Sequence, residues 1–311
     1  MTERLPTVQR RRFLSACAAG AGLVTTGAIR AVEPPPAWKP TFILSSALYG
    51  DMRLADIVPE VRKTGATLID LWPKPHGTQR EEVDAVGVER VREMLVAAGV
   101  ELGGIACYRV GPFALAAEFA VAKALGAERP VLVAMAPGDG SLTGDALATA
   151  IDTVVETMRP SIAAAEEAGG VIAIENHSRS LLRSPDAILR FADAVDHARV
   201  GIALAPHHLP QDADLVAKLA RELGPRLAFV YAQQAGKGAT EKLPKDDELL
   251  QLPGRGPLDF GPLMRQLAAM RFTGPVEIFM HPVPRGVPIL DTVDAITAEV
   301  NRARKHLEGL A

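Results

Sequence analysis

The 311 residues carry 37 Asp and Glu against 34 Lys and Arg, a net charge of -3, and 48% of them are hydrophobic. A chain of this length can bury a sizeable core as one large domain. Near-balanced charge without a basic stripe leaves nothing to neutralise a phosphate backbone, which excludes nucleic acid as the expected partner.

The first residues read as a targeting segment. Arg10, Arg11 and Arg12 followed by Phe13 and Leu14 match a twin-arginine pattern, and the apolar stretch that follows to Thr26 is too weak to span a membrane stably. Residues 1–31 are therefore expected to direct export of the folded chain to the periplasm, touching the membrane only in transit. Leu14 to Cys17 has the form of a lipoprotein box but lacks the preceding apolar region. Residues 32–40, with Pro34, Pro35 and Pro36, read as an extended linker. Beyond them only Cys107 remains, so no intramolecular disulfide is expected.

From Thr41 onward one unit repeats. Apolar runs predict strands over 41–47, 67–71, 101–107, 130–135, 171–175, 200–204, 227–231 and 276–280. Helical periodicity fills 53–64, 81–98, 112–125, 144–168, 184–195, 213–223 and 258–270, with a last helix over 291–307. This alternation over 41–311 predicts a single (β/α)₈ TIM barrel. A doubly wound open sheet is the alternative, but the Gly-rich phosphate turn after its first strand is missing.

A barrel concentrates chemistry at the C-terminal ends of its strands. Five of the seven histidines lie there: His76, His177, His207, His208 and His281. After strand two, Trp72 is placed to stack on a sugar ring, with Lys74 and His76 to hydrogen-bond its oxygens. Arg109, after strand three, is an anion contact or a rim charge. By strand alternation Glu175 shares a face with His177, and Glu277 shares one with Phe279 and His281. Paired carboxylates beside imidazoles can grip a divalent metal or move a proton next to a sugar carbonyl.

On these strings the chain from Thr41 onward resembles the xylose isomerase-like TIM-barrel superfamily. The resemblance rests on 71–77 (Leu-Trp-Pro-Lys-Pro-His-Gly), 174–177 (Ile-Glu-Asn-His), 206–209 (Pro-His-His-Leu), 253–260 (Pro-Gly-Arg-Gly-Pro-Leu-Asp-Phe) and 277–282 (Glu-Ile-Phe-Met-His-Pro). It implies Glu175 and Glu277 as metal ligands, joined by an Asp from strand six and a His from strand seven. Here Ala205 stands where the Asp is expected, and strand seven offers Tyr231 or Gln233. His208 falls on a substrate-contacting position. His207, His208, His177 or Gln233 could rebuild a histidine-rich sphere suited to Zn²⁺ or Mn²⁺, with Mg²⁺ the harder alternative.

The implied activity is isomerisation or epimerisation of a saccharide by proton abstraction alpha to a carbonyl. Glu175, Glu277 and His208 are the expected catalytic or metal-binding groups. Trp72, Lys74, His76, Arg109, His177, Tyr231, Gln233 and His281 are the expected substrate contacts. Elimination by a keto-sugar lyase or hydratase shares the first step, and a non-catalytic sugar-binding barrel with a degenerate metal site is the reading without chemistry. Nothing in the sequence specifies a homo-oligomer or rules one out. The nuclease branch of the superfamily needs a positive DNA track that is not present. Residues 235–256 are long for a barrel loop and are expected to form a lid.

Overall fold

The computed structural model describes residues 37–311, of which residues 38–311 form one compact unit. The twin-arginine segment and most of the linker lie outside the described residues. The strands are β1 (Thr41–Ser45), β2 (Leu68–Leu71), β3 (Glu101–Ala106), β4 (Val131–Met135), β5 (Val171–Glu175), β6 (Val200–Leu204), β7 (Leu227–Ala232) and β8 (Pro275–Ile278). Each pairs in parallel with the next, and β8 returns to β1 to close the predicted barrel.

Around it run α1 (Leu54–Lys63), α2 (Gln79–Val86), α3 (Val88–Ala97), α4 (Ala116–Ala124), α5 (Gly144–Thr157) and α6 (Arg159–Ala168). They are followed by α7 (Pro185–Ala194), α8 (Ala213–Leu223), the single turn α9 (Lys245–Glu248), α10 (Gly261–Ala269) and α11 (Val293–Glu308). Two predicted helices are each split in two. Gly87, at φ 96°, breaks 81–98 into α2 and α3, and Pro160 in the first turn of α6 breaks 144–168.

The helices form because each has one apolar stripe to bury. In α8, Val216, Leu219, Ala220 and Leu223 recur at helical spacing and are buried. The Asp212 side chain starts that helix by accepting from the Asp214 and Leu215 amides at 2.9 and 3.0 Å, a cap worth about 1 kcal/mol. Among the described residues, no helix is long and apolar enough to cross a membrane.

The barrel interior is lopsided. Bulky Trp72, Phe229, Tyr231 and Phe279 come from β2, β7 and β8, whereas β3, β5 and β6 contribute Ala106, Ala173, Ala203 and Ala205. Above this interior a pocket opens at the C-terminal ends of the strands.

At the C-terminal rim of the barrel, Gly50, after β1, packs against the segment that follows β8. It sits at φ 58°, and a Cβ there would stand 2.5 Å from the Pro288 nitrogen and 2.6 Å from the Gly286 carbonyl oxygen. Gln79 secures the same corner: its Nε2 donates to the Gly50 and Met52 carbonyls, both at 2.8 Å. Backbone cannot retreat as a flexible side chain can, so Gly50→Ala is expected to destabilise by about 2–4 kcal/mol. Denaturant unfolding of the variant checks this; an unchanged midpoint would mean the rim relaxes freely.

Candidate active site

A cavity of about 370 Å³ opens at the C-terminal ends of the strands, within the roughly 300–1,000 Å³ range of small-molecule sites. The segment after β2 supplies Trp72 and His76, the end of β3 Tyr108, and β5 with its loop Glu175 and His177. The turn after β6 adds His207 and His208, and the segment after β8 adds Phe279 and His281. Arg179 and Arg285 line both this cavity and an adjoining recess of about 470 Å³. Another cavity, about 290 Å³, lies among the first residues of the strands, including Thr41, Leu68 and Pro275. It holds no histidine and sits at the end of a barrel that serves stability.

Glu175, the last residue of β5, points inward with Ala173. Its Oε1 lies 3.6 Å from His208 Nε2 and 4.0 Å from His207 Nε2, too long for hydrogen bonds. Both imidazoles reach it because residues 206–208 form a single 3₁₀ turn opened by Pro206. Asn176 pins that turn in place: its Nδ2 donates to the Ala205 carbonyl at 3.0 Å and its Oδ1 accepts from the Ala205 amide at 2.7 Å. Burial pushes Glu175 up to about 8, opposed by its hydrogen bond with Tyr108. Burial also holds His207 well below its ordinary value and His208 down to about 3, so both are neutral with lone pairs available.

Two further imidazoles have fixed tautomers. His177 Nδ1 accepts from the Arg179 amide at 3.0 Å, and His281 Nδ1 accepts from Arg285 Nη1 at 2.9 Å. Burial lowers them to about 4 and about 3. A neutral imidazole that accepts at Nδ1 carries its proton on Nε2, so both are hydrogen-bond donors. Four of the histidines thus divide into a pair facing the carboxylate and a pair of oriented donors.

The sequence profile of the xylose isomerase-like TIM barrel matches residues 58–299. The chain belongs to that family. Its fold is shared with D-psicose 3-epimerase from Clostridium cellulolyticum H10, solved with D-tagatose, at 16% identity and a TM-score of 0.63 over 87% of this chain and 99% of that one. It is also shared with 3-keto-D-glucoside 4-epimerase from E. coli, at 15% identity and a TM-score of 0.63 over 86% and 100% of the two chains. A third similar structure is the IOLI protein with a bound zinc atom, at 14% identity and a TM-score of 0.65 over 87% and 97%. No curated protein shows a significant match to this chain.

Against the ligand pattern expected of this family, the residues present fit only in part. Ala205 is confirmed in the interior, where it offers no donor, and Tyr231 is a buried phenol hydrogen-bonded to Tyr108 at 2.9 Å. A different set fits better: Glu175, His207 and His208 can each offer one atom within 4.8 Å of the others. Two ligands about 2.1 Å from one ion stand roughly 3.0–3.4 Å apart. The 3.6 and 4.0 Å spacings are close to that, and burial keeps the imidazoles unprotonated.

Glu277 departs most from expectation. It does not line the cavity opposite Glu175; it is fully buried, accepting from Trp72 Nε1 at 3.3 Å, and its Oε2 has no hydrogen-bond partner. Trp72 itself stacks on Phe279 at 4.6 Å and on Tyr108 at 5.3 Å. With 2% of its surface exposed it lines the cavity as part of its floor. Beside Glu277 lies Asp70, also fully buried, with neither oxygen in hydrogen-bond geometry to a donor. Burial pushes Asp70 up to about 7, and burial followed by the neighbouring Asp70 charge holds Glu277 well above the carboxylate range. Two carboxyls in contact without a cation must share a proton.

Other expected contacts scatter. Lys74 is exposed and outside the cavity, its amide directed at Glu81, and Arg109 is exposed in a crevice beside Arg80 and Glu118. Gln233 lines the adjoining recess and donates to Gln251 Oε1 at 2.8 Å. Residues 235–256 are tied down rather than free: Gln251 Nε2 donates to the His281 carbonyl at 3.1 Å, and Gln234 Nε2 to the Leu252 carbonyl at 2.9 Å. Tyr108, Arg179 and Arg285 are the site features that the sequence pattern did not single out; the adjacent His207 and His208 after Pro206 are read from it as possible ligands, and the structure brings both to Glu175.

Proposed function

We propose that the protein abstracts a proton alpha to the carbonyl of a saccharide, with Glu175 as its single base. One observation carries this reading: among the described residues, Glu175 is the only carboxylate lining the cavity, and neutral imidazoles surround it. A buried carboxylate in such a pocket is a strong base once ionised. Sugar epimerases of the same fold support a saccharide as substrate.

Glu175, His207 and His208 would hold a divalent ion, best Zn²⁺ or Mn²⁺ on donor chemistry. When bound, such an ion polarises the carbonyl and steadies the developing negative oxygen. The chain's own part is proton movement. Glu175 takes the proton from carbon, while His177 and His281 present Nε2–H donors to the substrate oxygens. With one base, the proton goes back on the face it left, to the neighbouring carbon, while the hydroxyl proton passes to the former carbonyl oxygen, which yields isomerisation; where a leaving group lies beta to the carbonyl, the enolate expels it instead and elimination results. Epimerisation would need delivery to the opposite face by one of the imidazole donors. The twin-arginine segment would place this chemistry in the periplasm.

Solvent hydrogen exchange tests the proposal. The protein is titrated with Zn²⁺, Mn²⁺ or Mg²⁺ and incubated in D₂O with a panel of ketoses and 3-keto-glycosides. Deuterium alpha to the carbonyl and one metal per chain, lost in His208→Ala, are expected. No exchange across the panel, together with saccharide-dependent thermal stabilisation, would instead identify a sugar-binding barrel.

A further inference from the structure

Several arginines elsewhere in the molecule have carboxylate partners. Arg80 pairs with Glu118 and Asp84, Arg255 and Arg302 with Glu299, and Arg304 with Glu308. The two arginines at the cavity mouth do not. Arg285 is half-buried, and its Nη1 donates to His281 Nδ1 at 2.9 Å and to the Ala239 carbonyl at 3.3 Å, both neutral. The exposed Arg179 side chain has no hydrogen bond or ion pair among the described residues, although it lines both the cavity and the recess. Among the described residues, no carboxylate lines the recess.

Two guanidiniums sharing one wall without a counter-ion repel each other, and Arg285 is held below its ordinary value by burial and then by Arg179. A half-buried cation left unpaired is costly, and an oxyanion set against it recovers charge-assisted hydrogen bonds. We propose that Arg179 and Arg285 form an anion-recognising arm, and that the saccharide this site takes carries a carboxylate or phosphate at the end remote from Glu175. This rests on the saccharide reading above and narrows its substrate class. Carboxylate and phosphate satisfy the same guanidinium chemistry, and only binding distinguishes them.

Calorimetric titration of the full chain with D-glucuronate, D-glucose 6-phosphate, D-glucose and inorganic phosphate separates the cases without requiring turnover. One of the two charged sugars is expected to bind at least tenfold more tightly than D-glucose, with the advantage shrinking as salt rises. Whichever binds better names the group. Arg179→Gln should remove most of that preference while leaving the melting temperature unchanged, because that side chain holds nothing else in place. Arg285→Lys keeps the charge but loses the planar fork, and should retain part of the preference.

Equal affinity for charged and neutral sugars, or none for either charged sugar, would overturn the proposal. So would a preference that survives Arg179→Gln, or inorganic phosphate binding as tightly as D-glucose 6-phosphate, which marks an adventitious anion only. Anionic sugars that bind through Arg179 without any deuterium exchange leave the arm standing and remove the catalytic reading. Exchange into neutral ketoses without anion preference does the reverse.

Discussion

Glu175→Gln is expected to lower solvent hydrogen exchange by about 10²–10⁴-fold, the usual loss when a general base is removed. The fold should survive, because a neutral amide of the same shape relieves a carboxyl whose charged form burial disfavours. The same substitution should weaken metal binding, since Glu175 is the only acid in the donor set. Glu277→Gln provides the contrast. Matching glutamates by sequence alone makes it as damaging as Glu175→Gln, whereas its place beneath Trp72 predicts exchange within about tenfold of the parent, as for a residue that does not touch the reacting atoms. Comparable large losses in both variants, with circular dichroism unchanged, would restore the two-carboxylate mechanism and remove the single-base one.

The second large effect concerns stability rather than turnover. Asp70 has an ordinary carboxyl value near 3.8 and a folded value pushed up to about 7, with Glu277 raised as well. Between roughly pH 4 and 7 the unfolded chain therefore loses a proton that the native chain keeps, so this pair makes the native state less stable as pH rises through that window. Below it the contribution vanishes. The buried imidazoles act in the opposite sense: their folded values lie below 6.5, so they cost stability as pH falls. The pair is isolated by taking variant minus parent. Asp70→Asn is expected to stabilise by about 2 kcal/mol at pH 8, or roughly 4–8 °C in Tm, and by close to nothing at pH 4. Thermal melts across that range decide it; a difference that does not vary with pH would show that Asp70 is not held protonated.

Much of the barrel was legible in the sequence because alternation of apolar strands with amphipathic helices leaves few other ways to bury both. The misjudged helices show the limit of periodicity. Val86 and Val88 carry the apolar pattern straight across Gly87, yet the backbone at Gly87 takes a positive φ that no helix contains. Strand alternation correctly turned Glu175 and Glu277 inward, but alternation gives a face and not a depth. Depth follows from the stagger of the strands: Glu175 ends β5, while Glu277 is followed on its inward face by Phe279, which roofs it together with Trp72. The two β7 alternatives differ in the same terms: Tyr231 pairs with Glu277 inside the sheet, and Gln233 lies past the end of the strand. His207 and His208 are both legible as possible ligands; that they reach the same carboxylate follows only from a turn as tight as 206–208.

The Asn176 clamp on Ala205 would bear on ion choice at the Glu175, His207 and His208 triad. It joins the residue after Glu175 to the residue before the Pro206 turn through two main-chain contacts, so the three donors are carried by one stretch of bonded backbone rather than by independent loops. Their separation is then a property of the scaffold. A scaffold that resists spreading selects partly by radius and preferred coordination shape, a criterion separate from the intrinsic affinity order of the metals.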